Sequence, residues 1–127
     1  MKVLTEKAIF NCRANHLWEI VSDVSRCDWV PSVNSITIEG DCRIFEMDGM
    51  GSVTEKILIN DSKSMKFQYS AIKTRTPINH HLATIQIREI DSNNCELEWK
   101  QEIDPEIFAE AIHHGIMISI EGLKKVI

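Results

Sequence analysis

The chain reads CELEWKQEI over Cys95–Ile103, then Asp104-Pro105, then EIFAEAIHHGIMISIEGLKKV over Glu106–Val126. This run decides the fold class. Cys95, Leu97, Trp99, Gln101 and Ile103 alternate with Glu96, Glu98, Lys100 and Glu102. Neighbouring side chains on a strand point to opposite faces, so the alternation predicts an antiparallel strand that is dry on one side and wet on the other. Asp104 is placed to act as a helix N-cap, and Pro105 suits a first helical position. From Glu106 to about Val126, Phe108, Ala111, Ile112, Ile116, Ile120 and Leu123 form an apolar stripe, while Glu106, Glu110, His113, His114, Glu121 and Lys124 lie largely away from it. A helix of roughly twenty residues is about 30 Å long, enough to lie across most of a sheet. A dry sheet face and an apolar helix stripe must cover one another.

Upstream, the punctuation divides the chain cleanly. Residues 3–10 are β-rich. Leu17, Trp18, Val21 and Val24 then recur at helical spacing from Ala14 onward, until Trp29-Val30-Pro31 stops the helix. Ser25–Trp29 is expected to add a second short turn of helix. Strands are expected over 33–39, 42–47, 52–60, 65–73 and 81–89, separated by Gly40-Asp41, the hairpin signal Asp48-Gly49, Asp61–Ser64, Thr76–Asn79 and Asp91–Asn94. Val53, Glu55, Ile57 and Ile59 share one face, as do Phe67, Tyr69 and Ala71, and His81, Ala83, Ile85 and Ile87. The expectation is an α+β chain: a curved antiparallel sheet of about seven strands wrapped around a long C-terminal helix, with one or two short helices after the first strand. Residues 1–127 read as a single domain.

Composition narrows the function classes. Hydrophobic residues make up 43% and charged residues 26%, ordinary values for a globular chain. The net charge of −5 and the lack of any Lys/Arg cluster beyond pairs such as Lys124-Lys125 argue against nucleic acid and against docking on anionic lipid. No apolar run approaches the ~20 residues of a spanning helix, so no stable membrane insertion is expected. Glu6 and Lys7 stand where a secretory signal is apolar, which points to the cytoplasm. Cys12, Cys27, Cys42 and Cys95 form no C-x-x-C pair, and the expectation is reduced, structurally idle thiols. His80-His81 and His113-His114 cannot chelate as adjacent pairs, and no H-E-x-x-H is present, so no metal site is expected. No nucleophile elbow, dinucleotide fingerprint or P-loop appears, and no cofactor is implied.

The order of segments carries a likeness. Leu17-Trp18 to Asp23, Trp29-x-Pro31-x-Val33, Gly51-Ser-Val-Thr-Glu55-Lys-Ile57, Asp61, Tyr69, Pro77, Ala83-Thr84-Ile85, Trp99 and Pro105 follow one another over most of the chain. Together they resemble the START/polyketide cyclase-like superfamily with the helix-grip fold, in its polyketide cyclase/dehydrase branch. Arg13 stands where many relatives have proline, and Cys27 where an aromatic residue is frequent. The resemblance implies an apolar cavity between sheet and long helix, holding a lipid, polyketide or other aromatic molecule. It also implies that Glu55 faces the ligand, and that Tyr69 and Trp99 lie on the concave sheet.

The residues themselves single out Glu55, a carboxylate on an inward face that must pair, hydrate or keep its proton. A cross-strand partner would explain it equally well. His81 shares its face with Ala83 and Ile85 and is a candidate polar contact, or else a strand-end residue. Phe67, Ile57, Leu97, Phe108 and Ile112 are the expected apolar wall, beside Tyr69, Trp99 and Trp29, although plain core packing accounts for them too. The leading reading is binding or carriage of a small hydrophobic molecule, with no catalytic residue assigned. A cyclase/dehydratase-type enzyme would instead use Glu55 or His81 as acid or base. A protein-interaction module would have its interior filled by side chains such as Met65, Phe67 and Trp99.

Overall fold

A computed structural model describes all residues, Met1–Ile127. Strand β1 (Lys2–Phe10) is followed by helix α1 (Ala14–Val21). Six strands come next: β2 (Thr37–Glu39), β3 (Cys42–Met47), β4 (Gly51–Asp61), β5 (Lys66–Thr74), β6 (His80–Asp91) and β7 (Asn94–Asp104). A 3₁₀ turn over Glu106–Phe108 then leads into helix α2 (Ala109–Val126). The seven strands form one antiparallel sheet in the order β1-β7-β6-β5-β4-β3-β2. Every hairpin joins neighbours, and β1 closes onto β7, with Lys2 opposite Ile103 and Phe10 opposite Cys95. The expected α+β helix-grip architecture is what the chain adopts.

The inward faces follow the alternation. Ala83, Ile85 and Ile87 on β6 and Cys95, Leu97, Trp99 and Ile103 on β7 are buried, together with Phe67 and Tyr69 on β5. Leu58, which breaks the alternation of β4, is exposed beside a register shift between Ile57 and Ile59. An extra residue there lets β4 bend while Ile57 and Ile59 both stay partly covered.

The structure corrects three local expectations. Residues 22–36 contain no second helix, and no strand before Thr37. The apolar residues of this loop instead serve a satellite core, in which Val33 packs with Phe45 and Val53. Asp104 makes no side-chain cap, because it is held as the last residue of β7 opposite His80, and Pro105 takes the cap position of the 3₁₀ turn. The helical run from Glu106 begins as that 3₁₀ turn, so α2 proper starts at Ala109.

Helix α2 does not rest evenly on the sheet. Its second half is buried through Ile116, Ser119, Ile120 and Leu123. Gly122 touches the loop itself: a Cβ there would lie 2.0 Å from the Trp29 carbonyl oxygen. The first half stands off, with Ala111 and Gly115 exposed and Ile112 half-buried. No helix is long and apolar enough to cross a membrane.

Candidate functional site

A cavity of about 480 Å³ lies between the main core and the satellite core, beneath the raised half of α2. Of the 31 residues that line it, 19 are hydrophobic, which makes the wall predominantly apolar. Its exposed lining residues include Asp48 and Gly49 at the β3–β4 turn and Ala111, His114, Gly115 and Ile118 on α2. The mouth therefore opens between that hairpin and the helix.

Eight of the residues singled out in the sequence are on this wall: Trp29, Glu55, Phe67, Tyr69, His81, Ile85, Trp99 and Ile112. The other four are not. Ala83 and Leu97 are completely buried in the main core, Phe108 is half-buried in the 3₁₀ turn, and Ile57 lines a separate surface depression with Ile38, Cys42 and Leu58. An inward strand phase puts a side chain under the helix. Whether it meets the helix or the gap depends on position along the strand, which periodicity does not carry.

Glu55 has a partner that sequence reasoning missed. Arg43 is its register neighbour on β3, and Nε of Arg43 donates to Glu55 Oε1 at 2.7 Å. The two side chains are only 11% and 13% exposed, so the pair is shielded on the cavity wall. The guanidinium carbon lies 4.9 Å from the Tyr69 ring centroid and 5.4 Å from that of Phe67. A planar, weakly hydrated cation over two aromatic faces is favourable once water is largely excluded. The turn signal alone places Arg43 one residue out of register with Glu55. The β3–β4 loop has three residues, Asp48–Met50, so Met47 pairs with Gly51 and Arg43 falls opposite Glu55; a two-residue turn at Asp48-Gly49 would have paired it with Thr54.

His81 is fixed in one tautomer. The backbone N–H of Ala71 donates to Nδ1 at 2.8 Å, so in the neutral ring the proton resides on Nε2, which lies 2.6 Å from Gln101 Oε1. The β5–β6 ladder runs only from Lys66–Gln86 to Tyr69–Ala83. Beyond it, the His81 ring and the bond from Ser70 Oγ to the His81 carbonyl replace backbone pairing and hold the seam closed. Burial pushes the imidazole below its usual range, against the opposing pull of Gln101 and the Glu55 charge. Burial also raises the Tyr69 phenol, which stays protonated.

The depressed His81 gives a pH prediction. Its contribution is complete above the unfolded-state value of about 6.5 and is lost as pH falls below it, because the unfolded chain then takes up a proton that the native ring refuses. Melting temperature is expected to fall between pH 7.5 and 5.5. His81→Asn, whose side-chain oxygen can accept from Ala71, should flatten that slope. Equal slopes in the two proteins would show that His81 is not the titrating group.

Residues 1–125 match the family described as "Polyketide cyclase / dehydrase and lipid transport". The chain belongs to this family. Solved structures share the fold at low identity. XoxI from Bacillus cereus superposes with a TM-score of 0.89 at 22% identity, covering 99% of this chain and 95% of that one. A START superfamily protein from Mycobacterium smegmatis gives 0.85 at 9% identity, over 97% and 94%. The Zhui aromatase/cyclase from Streptomyces sp. R1128 gives 0.82 at 10% identity, over 98% and 92%. At such identities these likenesses show the fold alone. No curated protein matches the chain.

Proposed function

We propose that this family member binds and carries a small, mostly apolar molecule in the cavity under α2. The observation that carries the reading is the 480 Å³ volume between two packed cores, walled mainly by hydrophobic side chains. That volume falls within the range of roughly 300–1,000 Å³ typical of small-molecule sites. Apolar contact with Phe67, Ile85 and Ile112 supplies affinity, and the few polar groups among them set orientation. The acid–base alternative draws no support from the side chains available. Both His81 nitrogens are engaged, and Glu55 already accepts from Arg43. A filled interaction module is at odds with an interior of this volume.

A thermal-shift panel of fused-ring ketones, fatty acids and lysophospholipids tests the reading. A ligand at a hundred times its Kd stabilises by about 2.7 kcal/mol, or roughly 10 °C in a domain of this size. Ala71→Phe, which puts a ring into the cavity, should abolish the rise. Silence across the whole panel, or an equal rise in the blocked variant, would defeat the proposal.

A further inference from the structure

The polar groups on the cavity wall are unbalanced in kind. A guanidinium carries five N–H donors; Glu55 takes the one on Nε, and no protein acceptor meets either Nη of Arg43. The indole N–H of Trp29 is buried without any acceptor, and that of Trp99 meets nothing but the Tyr69 hydroxyl; both residues line the cavity and their rings lie 6.2 Å apart. Gln101 gives its oxygen to His81, which leaves its amide nitrogen as a further donor. The groups on the wall that lack a partner are donors, the Trp29 indole N–H and the Arg43 Nη groups, so a matching guest brings oxygen atoms that accept.

The charges are, by contrast, already balanced. Glu55 neutralises Arg43 within a shielded pair. The other cationic side chain on the wall, Arg26, is tied to Asp28 at 2.6 Å, and Asp48 adds a negative charge at the mouth. His114 is exposed at the rim. A carboxylate guest would therefore crowd a second anion beside Glu55 around one guanidinium, in a space where like charges are poorly screened. A carbonyl accepts the same hydrogen bonds and adds no charge.

We infer that the Arg43–Glu55 pair acts as a charge filter, making the cavity selective for a neutral, carbonyl-bearing apolar ligand over the corresponding carboxylic acid. Glu55 is then the residue that sets specificity, by cancelling the cation that would otherwise recruit acids. The inference rests on the carriage reading, and its test separates the two.

The probes are 2-acetylanthracene and anthracene-2-carboxylate, which share one ring system, titrated by fluorescence at pH 7.5 into the full chain and into Glu55→Gln. Wild-type protein should bind the ketone at least about tenfold more tightly, because like-charge juxtaposition is costly in a desolvated site. Glu55→Gln, checked for folding by its circular-dichroism melt, should reverse the order and prefer the acid. If wild type binds the acid as well as the ketone, the filter is refuted while carriage stands, whether or not the variant folds. If the folded variant keeps the wild-type preference, Glu55 is not the filter. If neither probe binds wild type, the filter is refuted, while carriage stands or falls separately on the thermal-shift panel.

Discussion

Gly122→Ala is expected to lower the melting temperature by roughly 10 °C, the equivalent of about 3 kcal/mol in a chain of this length. The sign is the informative part. Gly122 sits inside α2, where glycine normally costs about 1 kcal/mol against alanine, so propensity alone forecasts a gain. The added methyl would sit 2.0 Å from the Trp29 carbonyl oxygen and 3.0 Å from its carbon. Both are backbone atoms, and no rotamer change can move them away. Either α2 lifts further from the sheet or the Trp29 loop retreats, and each breaks the packing of Ile120 and Leu123. Since the Trp29 indole forms part of the cavity wall, the same displacement should weaken any ligand.

Gly115→Ala supplies the contrast within the same helix. No atom lies within 4 Å of a Cβ at Gly115. The propensity term then acts alone, and the variant should gain up to about 1 kcal/mol. Thermal melts of the two alanine variants, side by side, measure the difference. Equal and positive shifts would mean that the Trp29 carbonyl does not hold α2 at Gly122.

What the sequence could and could not carry follows from the range of each signal. Strand faces are set by neighbours two residues away, so the dry sides of β6 and β7 are legible from alternation alone. The stripe of α2 is legible for the same reason, at helical spacing. Stand-off from the sheet is not local: Ile112 and Leu123 share that stripe, yet one faces the cavity half-buried and the other is fully packed in the main core. Gly122 shows the same limit, since its reason lies in a carbonyl far upstream in the chain. Val33 and Ile36 look like strand residues because they are apolar, but they serve a loop folded over Phe45 and Val53. Arg43 marks another limit. Counting back across a two-residue turn at Asp48-Gly49 pairs it with Thr54; the loop takes in Met50 as well, and that one-residue slip is what brings Arg43 opposite Glu55.

That partner carries the second large effect. Arg43→Met keeps an unbranched stem over Phe67 and Tyr69 but removes the cation, leaving the Glu55 carboxylate, 13% exposed, without its partner. Breaking one side of a shielded pair costs about 3 kcal/mol, much of it the desolvation of the abandoned charge. The melting temperature should fall by roughly 10 °C. Adding Glu55→Leu to Arg43→Met should recover most of this loss, because a well-packed apolar pair of similar volume often equals or exceeds a buried ion pair. The double-mutant cycle should give a coupling of at least about 2 kcal/mol. A cost for Arg43→Met below about 0.5 kcal/mol, as for an exposed pair, would place Glu55 in water that enters through the mouth. In that case Glu55 has no bound cation to neutralise, and its influence on which guest the cavity admits would be screened by the same water.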